Sequence, residues 1–462
     1  MERPEEDQEA HQSAQPGVLS ILRRAIAVSA CLFLGACSGP SAESKRAVNR
    51  FLAEGNYAEA QSALEKAKDK EYGYKNAVLY DLDLGMVLHN AGKYRESDEY
   101  FDRAEARMSE LYTKSATKAS ATLLLNDNTV DYGGEAFERA LTNVFRAMNY
   151  TFLGKPDEAL VESRKVESYL DELSSHRSAK SRTYKDDAYA RYLDSLLYAD
   201  AGKTDDARIS HEAAMQAYSW YASAYNTFPP PFAPLRDGDN EGEVVFIHYN
   251  GVAPRKISKS FQVAWGQGLA ALNSAKEEGD AQASDPRVMN AVRAGVFDKS
   301  VTVAFPDYVQ DPYSIVISEI RVDQKQSATA LMEDISAIAI KDLRDRMALI
   351  KTRAVARAMV KFILAKAATN EAEKKYGKNS WQAILTKVGS NVAAAATEIA
   401  DTRGWATLPS QIRMARLRLA PGTYDVQAVF KDGAGNVVST HDFKDVTVKK
   451  GKRTYLQYRT AL

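Results

Sequence analysis

Two pairs of glutamates carry the densest polar chemistry in the chain: Glu135 with Glu138, and Glu158 with Glu162, the second pair followed by Arg164. Spacings of three and four residues put the members of each pair on one face of a helix. Carboxylates placed in this way can divide general acid and general base work. The same spacing equally suits helix-face ion pairs with Arg139, Arg146 or Arg164. A second cluster is cationic. Arg353, Arg357 and Lys361 recur every four residues among Leu349, Ile350, Val355, Met359, Val360 and Ile363. That pattern reads as the solvated stripe of an amphipathic helix, or as an anion-binding edge for a phosphate or carboxylate. Other catalytic vocabulary is missing from the sequence. No glycine-rich phosphate loop opens a helix, no serine sits in a nucleophile-elbow motif, and the six histidines (11, 89, 176, 211, 248 and 441) lack short metal-ligand spacing. No metal and no cofactor is expected, and His248, inside an apolar run, reads as a core histidine.

Cys37 sets the address. Arg23 and Arg24 precede a mostly apolar run from Ala25 to Leu34, then Gly35, Ala36 and the cysteine, an order of charged, apolar and small residues that marks an export signal. The run is too short to span a bilayer. The pattern resembles a bacterial lipoprotein signal, which implies cleavage before Cys37 and acylation of its thiol and amino group. By the same resemblance, Ser38 in place of aspartate favours the outer membrane. The acidic stretch Met1 to Gly17 departs from such a signal, and a start at Val18 or Leu19 would remove it. Cys31 and Cys37 are the only cysteines of the 462 residues, so a processed chain would have no disulfide to rely on and would be held by packing alone. Lys plus Arg equal Asp plus Glu at 61 each, which offers no basic excess for nucleic acid.

A polar tether over 37–45 leads into a self-similar region, 46–225. Gly55, Gly92, Gly154 and Gly202 each lie between two helical patterns. A small residue follows five positions later (Ala60, Ser97, Ala159, Ala207), and Leu64, Phe101, Ser163 or His211 four beyond that. Glycine permits a tight turn, the small residue lets two helices approach, and the later position fills the gap. This is tetratricopeptide-repeat chemistry, interrupted by an insertion around 123–135. Phe228-Pro229-Pro230-Pro231 and the acidic stretch after it make a semi-rigid linker, 226–242. Beyond it, Val244–Tyr249, Val301–Phe305 and Ser314–Ile317 read as strands, 329–401 as a helical insertion, and Ile412–Leu419, Thr423–Phe430, Val437–Val448 and Thr454–Tyr458 as a closing run of strands. The predicted class is α+β: a helical tetratricopeptide-like solenoid, then a β-rich domain, 243–462, with inserted helices.

Four strings make the chain resemble a family of uncharacterised Gram-negative lipoproteins with a repeat-containing amino half and a mixed carboxyl half. They are Tyr132-Gly133-Gly134-Glu135-Ala136-Phe137-Glu138, Asn149-Tyr150 with Glu158 to Arg164, Asn250 to Pro254, and Trp405 through Leu408-Pro409 to Arg416. The resemblance implies architecture and address rather than a reaction, and points to cell-wall synthesis as a setting. The resulting expectation is a non-enzymatic, lipid-anchored, periplasm-facing scaffold. Its protein or peptide partner would touch Tyr132, Glu135, Glu138, Asn149, Tyr150, Glu162 and Arg164, because stacked helix pairs form a curved groove. The alternatives are an enzyme on an envelope polymer, using Glu135, Glu138 and Glu162, and a small-molecule or lipid-binding module.

Overall fold

The computed structural model describes residues 39–117, 130–175, 184–232, 240–277, 280, 283–378, 380, 382–384, 386 and 400–461. The signal segment 1–36, Cys37 and the insertion at 123–128 lie outside the described residues, as do 233–239 of the linker and 387–399 of the expected helical section.

Helices fill the first half and sheets the second. The helices come as α1 (Ala42–Ala53) with α2 (Tyr57–Ala67), α3 (Ala77–Asn90) with α4 (Tyr94–Thr117), α5 (Ala136–Phe152) with α6 (Pro156–Ser175), and α7 (Ala188–Asp200) with α8 (Thr204–Tyr225). A three-residue turn closes each pair, which makes the two helices antiparallel neighbours. Gly55, Gly92, Gly154 and Gly202 sit in these turns with φ of 69°, 75°, 68° and 73°, a region where a Cβ is penalised. Ala60, Ser97 and Ala159 are wholly buried where the partners meet. Contact is close at Gly85, where a Cβ would lie 2.7 Å from the Phe101 ring.

The sheets begin at β1 (Gly242–Asn250) and β2 (Arg255–Ala264), followed by α9 (Trp265–Glu277), α10 (Pro286–Arg293) and β3 (Ser300–Val309). Next come β4 (Ile317–Val322), β5 (Lys325–Ala328), β6 (Ala330–Asp334) and the long α11 (Ile335–Tyr376). The last strands are β7 (Gln411–Leu419), β8 (Gly422–Lys431), β9 (Val437–Val448) and β10 (Arg453–Thr460). One sheet has the order β10-β1-β7-β6, a second β5-β4-β8-β9, and β2 and β3 form a separate ribbon. Two expectations are corrected. Ser314–Val316 precede their strand, which starts at Ile317, and 330–334 form strand β6 rather than the start of a helix. Ala330, Leu331 and Met332 favour helix intrinsically, but pairing of β6 with β7 and complete burial of Met332 override that preference. Ribbon strand β2 escapes the sequence reading because its burial is so uneven.

Strand β1 is buried along its whole length, so it has a helix-covered layer on one side and a second sheet on the other. Val245, Ile247 and Tyr249 join a core built from α3, α5, α7 and α8. Val244 and Phe246 point the other way, into a core with Ile320, Ala428 and Phe430. The period-2 alternation of a strand is thus shared between two cores. His248 lies on the second side, wholly buried, with Nδ1 2.8 Å from Ser318 Oγ and Nε2 2.7 Å from Thr460 Oγ1. A third cluster packs the ribbon, α9 and α10 against the middle of α11. Helix α11 therefore begins in the core shared with the helices and crosses the ribbon at its middle.

Candidate functional site

The inner faces of the helices, which the sequence marked as a ligand groove, are covered by the chain's own first sheet. Polar joints fasten the two layers. Arg416 on β7 donates to both Glu243 carboxylate oxygens at 2.9 and 2.8 Å and to Tyr192 Oη at 2.8 Å. Arg453 links Glu243 at 3.0 Å with Asp200 at 2.6 Å. Asp83 on α3 accepts from Tyr72 Oη and from the backbone and hydroxyl of Thr407. His89 is 2.7 Å from Asn149 Oδ1 through Nδ1 and 3.2 Å from Tyr249 Oη through Nε2. Burial pushes its imidazole down to about 4, against the opposing hydrogen bonds to Asn149 and Gln457.

Asn149 is therefore a core residue, completed by donation from its Nδ2 to Ser97 Oγ at 2.9 Å. Tyr150 and Glu162 belong to a different cluster, centred on Arg146. That guanidinium pairs with Asp98 at 2.9 Å, Asp102 at 2.9 Å, Glu105, and Glu162 at 3.5 Å. Tyr150 Oη donates to Asp98 at 2.7 Å, and Lys165 Nζ is 3.2 Å from Glu162. Arg164 lines a neighbouring cleft of about 420 Å³ with Arg139 and Tyr169.

Tyr132, Glu135 and Glu138 are brought together at the start of α5. Glu138 Oε2 accepts from Tyr132 Oη at 2.7 Å and from the Glu135 backbone at 2.9 Å, while Oε1 accepts from the Trp405 backbone at 2.8 Å. Glu135 turns outward and pairs with Lys256 of β2 and, at 2.8 Å, with Arg346 of α11. Burial alone would push both carboxyls up. For Glu135 the two cations outweigh it and hold the group below the usual carboxylate range; for Glu138 the charge of Glu135 adds to burial, and the pKa is raised. Two carboxyls with pKa values pushed apart are an acid–base arrangement in outline. Their oxygens are nonetheless engaged by the fold's own donors.

Outside this pair runs a groove of about 410 Å³, and into it the two sequence candidates converge. Arg353 and Arg357 line it together with Tyr132, Glu135, Lys256 and Arg346. Arg346, Arg353 and Arg357 stand at i, i+7 and i+11 on α11, hence on one face. Lys361, one turn further along, is not among the lining residues. Arg403 closes the far side, fixed by Asp401 at 2.8 and 2.9 Å and lying 5.2 Å from the centre of the Tyr132 ring. The described lining holds five cations (Lys256, Arg346, Arg353, Arg357, Arg403) against three carboxylates (Asp131, Glu135, Asp401). Leu343, Leu349 and Ile350 lie between the charges, and Leu349 is 45% exposed. Arg346 was missed by the sequence reading, although its spacing of seven residues from Arg353 is the signal that places it on the same face. Lys256 and Arg403 carry no sequence signal, since each reaches the groove from a separate element.

Among the described residues no group of histidine, cysteine, aspartate and glutamate is placed to hold a metal ion, and no helix is long and apolar enough to cross a membrane. No protein-family model matches the chain, and no curated protein matches it.

Proposed function

We propose that the protein is a lipid-anchored adaptor of a bacterial envelope, facing the periplasm, that binds an acidic segment of a partner protein in the α11 groove. The four helix pairs act in this reading as a tetratricopeptide-like array whose inner face serves the fold rather than a ligand. One observation supports it above others: the excess of cations in the groove, with apolar side chains interleaved between them. Such a surface complements a peptide in which carboxylates alternate with apolar residues. Arginine is suited to the task because its planar fork grips carboxylates bidentately. The anchor rests on Cys37, and Cys37→Ser should move the protein out of the detergent phase.

A photoreactive phenylalanine analogue at Leu349 tests the groove in intact envelopes. The reading expects a crosslink to an acidic stretch of one partner, reduced about tenfold or more by Arg353→Glu with Arg357→Glu. Unchanged crosslinking after charge reversal rejects it. Crosslinks obtained only from a probe at Ile209, exposed on α8, would move the site to the outer face of the helices.

A further inference from the structure

On the other side of the wall formed by Glu138 and Lys256 lies a second cavity, of about 280 Å³, that the groove does not use. Its walls mix apolar side chains, Phe137, Trp405, Leu408 and Ile257 among them, with charged ones, Arg46, Arg255 and Lys256 against Glu138 and Asp311. Lys45 and Asn49 of α1 enter it four residues apart, from one face of the helix. Among the described residues the Lys45 ammonium has no hydrogen-bond or ion-pair partner. The three acids nearest in charge, Asp83, Asp401 and Glu138, are each engaged elsewhere: Asp83 by Tyr72 and Thr407, Asp401 by Arg403, and Glu138 by Tyr132, Glu135 and Trp405. Beside it, the buried Asn49 Oδ1 also lacks a donor. Lys45 is half-buried, whereas an acceptor shut off from water without a donor, as Asn49 Oδ1 is, is costly, and native folds satisfy such groups almost without exception. A cation and an acceptor side by side, next to apolar side chains such as Phe137 and Trp405, have the form of a ligand site.

We infer that this cavity binds a small carboxylic acid with an apolar body and a hydrogen-bond donor next to the carboxylate. Lys45 Nζ would donate to the carboxylate, Asn49 Oδ1 would accept from the adjacent N–H or O–H, and the apolar part would rest against Phe137 and Trp405. One ammonium and one amide acceptor suit a monoanion with a donor, as in an N-acyl amino acid. A phosphate would leave the Asn49 acceptor unanswered. The volume sits near the lower end for ligand pockets, which restricts the occupant to amino-acid size. Burial lowers the Lys45 pKa, and the surrounding acids oppose that shift; a bound carboxylate would raise it.

The test is calorimetric titration of the whole protein with N-acetylalanine, N-acetylleucine and their methyl esters. Saturable binding of at least one acid, weakened tenfold or more in its ester and in Lys45→Met, supports the site. Asn49→Leu should weaken acid and ester alike, because both carry the N–H that Asn49 would accept. Binding of neither acid, or equal binding of acid and ester, overturns the inference. If Lys45→Met fails to fold, the acid-to-ester comparison on the unaltered protein still decides.

Discussion

Glu135 and Arg346 meet at 2.8 Å although 211 residues separate them in the chain, and Lys256 completes the contact from a third element. Removing the carboxylate alone leaves two neighbouring cations facing each other. Glu135→Gln should therefore cost about 2–3 kcal/mol, below the span for wholly dry pairs because Arg346 and Glu135 keep 24% and 16% of their side-chain exposure. Adding Lys256→Met should recover part of that loss. Denaturant titration of the single and double variants measures it, and strictly additive losses would show that the charges are not coupled.

Gly85 on α3 faces Phe101 on α4 so closely that a methyl group has no room. Gly85→Ala should cost roughly 1–3 kcal/mol by overpacking, and Phe101→Leu in the same chain should soften that penalty. A melting temperature for Gly85→Ala equal to that of the unaltered protein would mean the two helices can separate without loss.

His89 is held neutral in the core, its pKa pushed down to about 4 by burial. A depressed pKa in the folded state means that the unfolded chain takes up the proton first as pH falls. The stability this histidine preserves is complete above about 6.5 and disappears progressively towards 4. His89→Gln cannot titrate, so from pH 7 to 4.5 it should lose roughly 2 kcal/mol less than the unaltered protein does. Parallel stability–pH curves for the two proteins would count against it.

The inner faces of α3, α5 and α7 gain their cover from β1, β6, β7 and β10. Residues 39–225 produced alone should thus bind a hydrophobic dye and self-associate, whereas the whole chain should do neither. A monomeric fragment that melts at the temperature of the whole protein would mean that the helical layer is self-sufficient.

Much of the local structure was legible, because it is decided locally. Gly92 with Ser97 and Phe101 announces a turn, a close approach and a filler within ten residues. Val244 to Tyr249 could hardly be anything other than a buried strand. Glu135 and Glu138 were rightly read as neighbours, yet nothing at those positions says that Glu138 faces Trp405 or that Glu135 faces Lys256 and Arg346, since those partners lie 267, 121 and 211 residues away. The cover over the inner helical faces was hidden for a related reason. Buried inner faces of helices look alike in sequence whether a foreign peptide or the chain's own sheet covers them. Arg353 and Arg357 looked like a lone stripe because a helix shows its spacing and conceals its opposite wall.

Strand β1 borrows its parallel neighbour from far down the chain, Glu243 lying beside Arg453. A ribosome adding about 5–20 residues per second needs roughly 10–40 s to travel from one to the other. Throughout that interval the edge of β1 and the helical inner faces are unfinished surfaces, and pairings this distant close slowly. Chains arrested before Arg453 should be cut by protease near β1, while chains extended past Thr460 resist. Acquisition of the fold therefore waits for β10, and a nascent copy passes through a long period in which it depends on being kept apart from its neighbours.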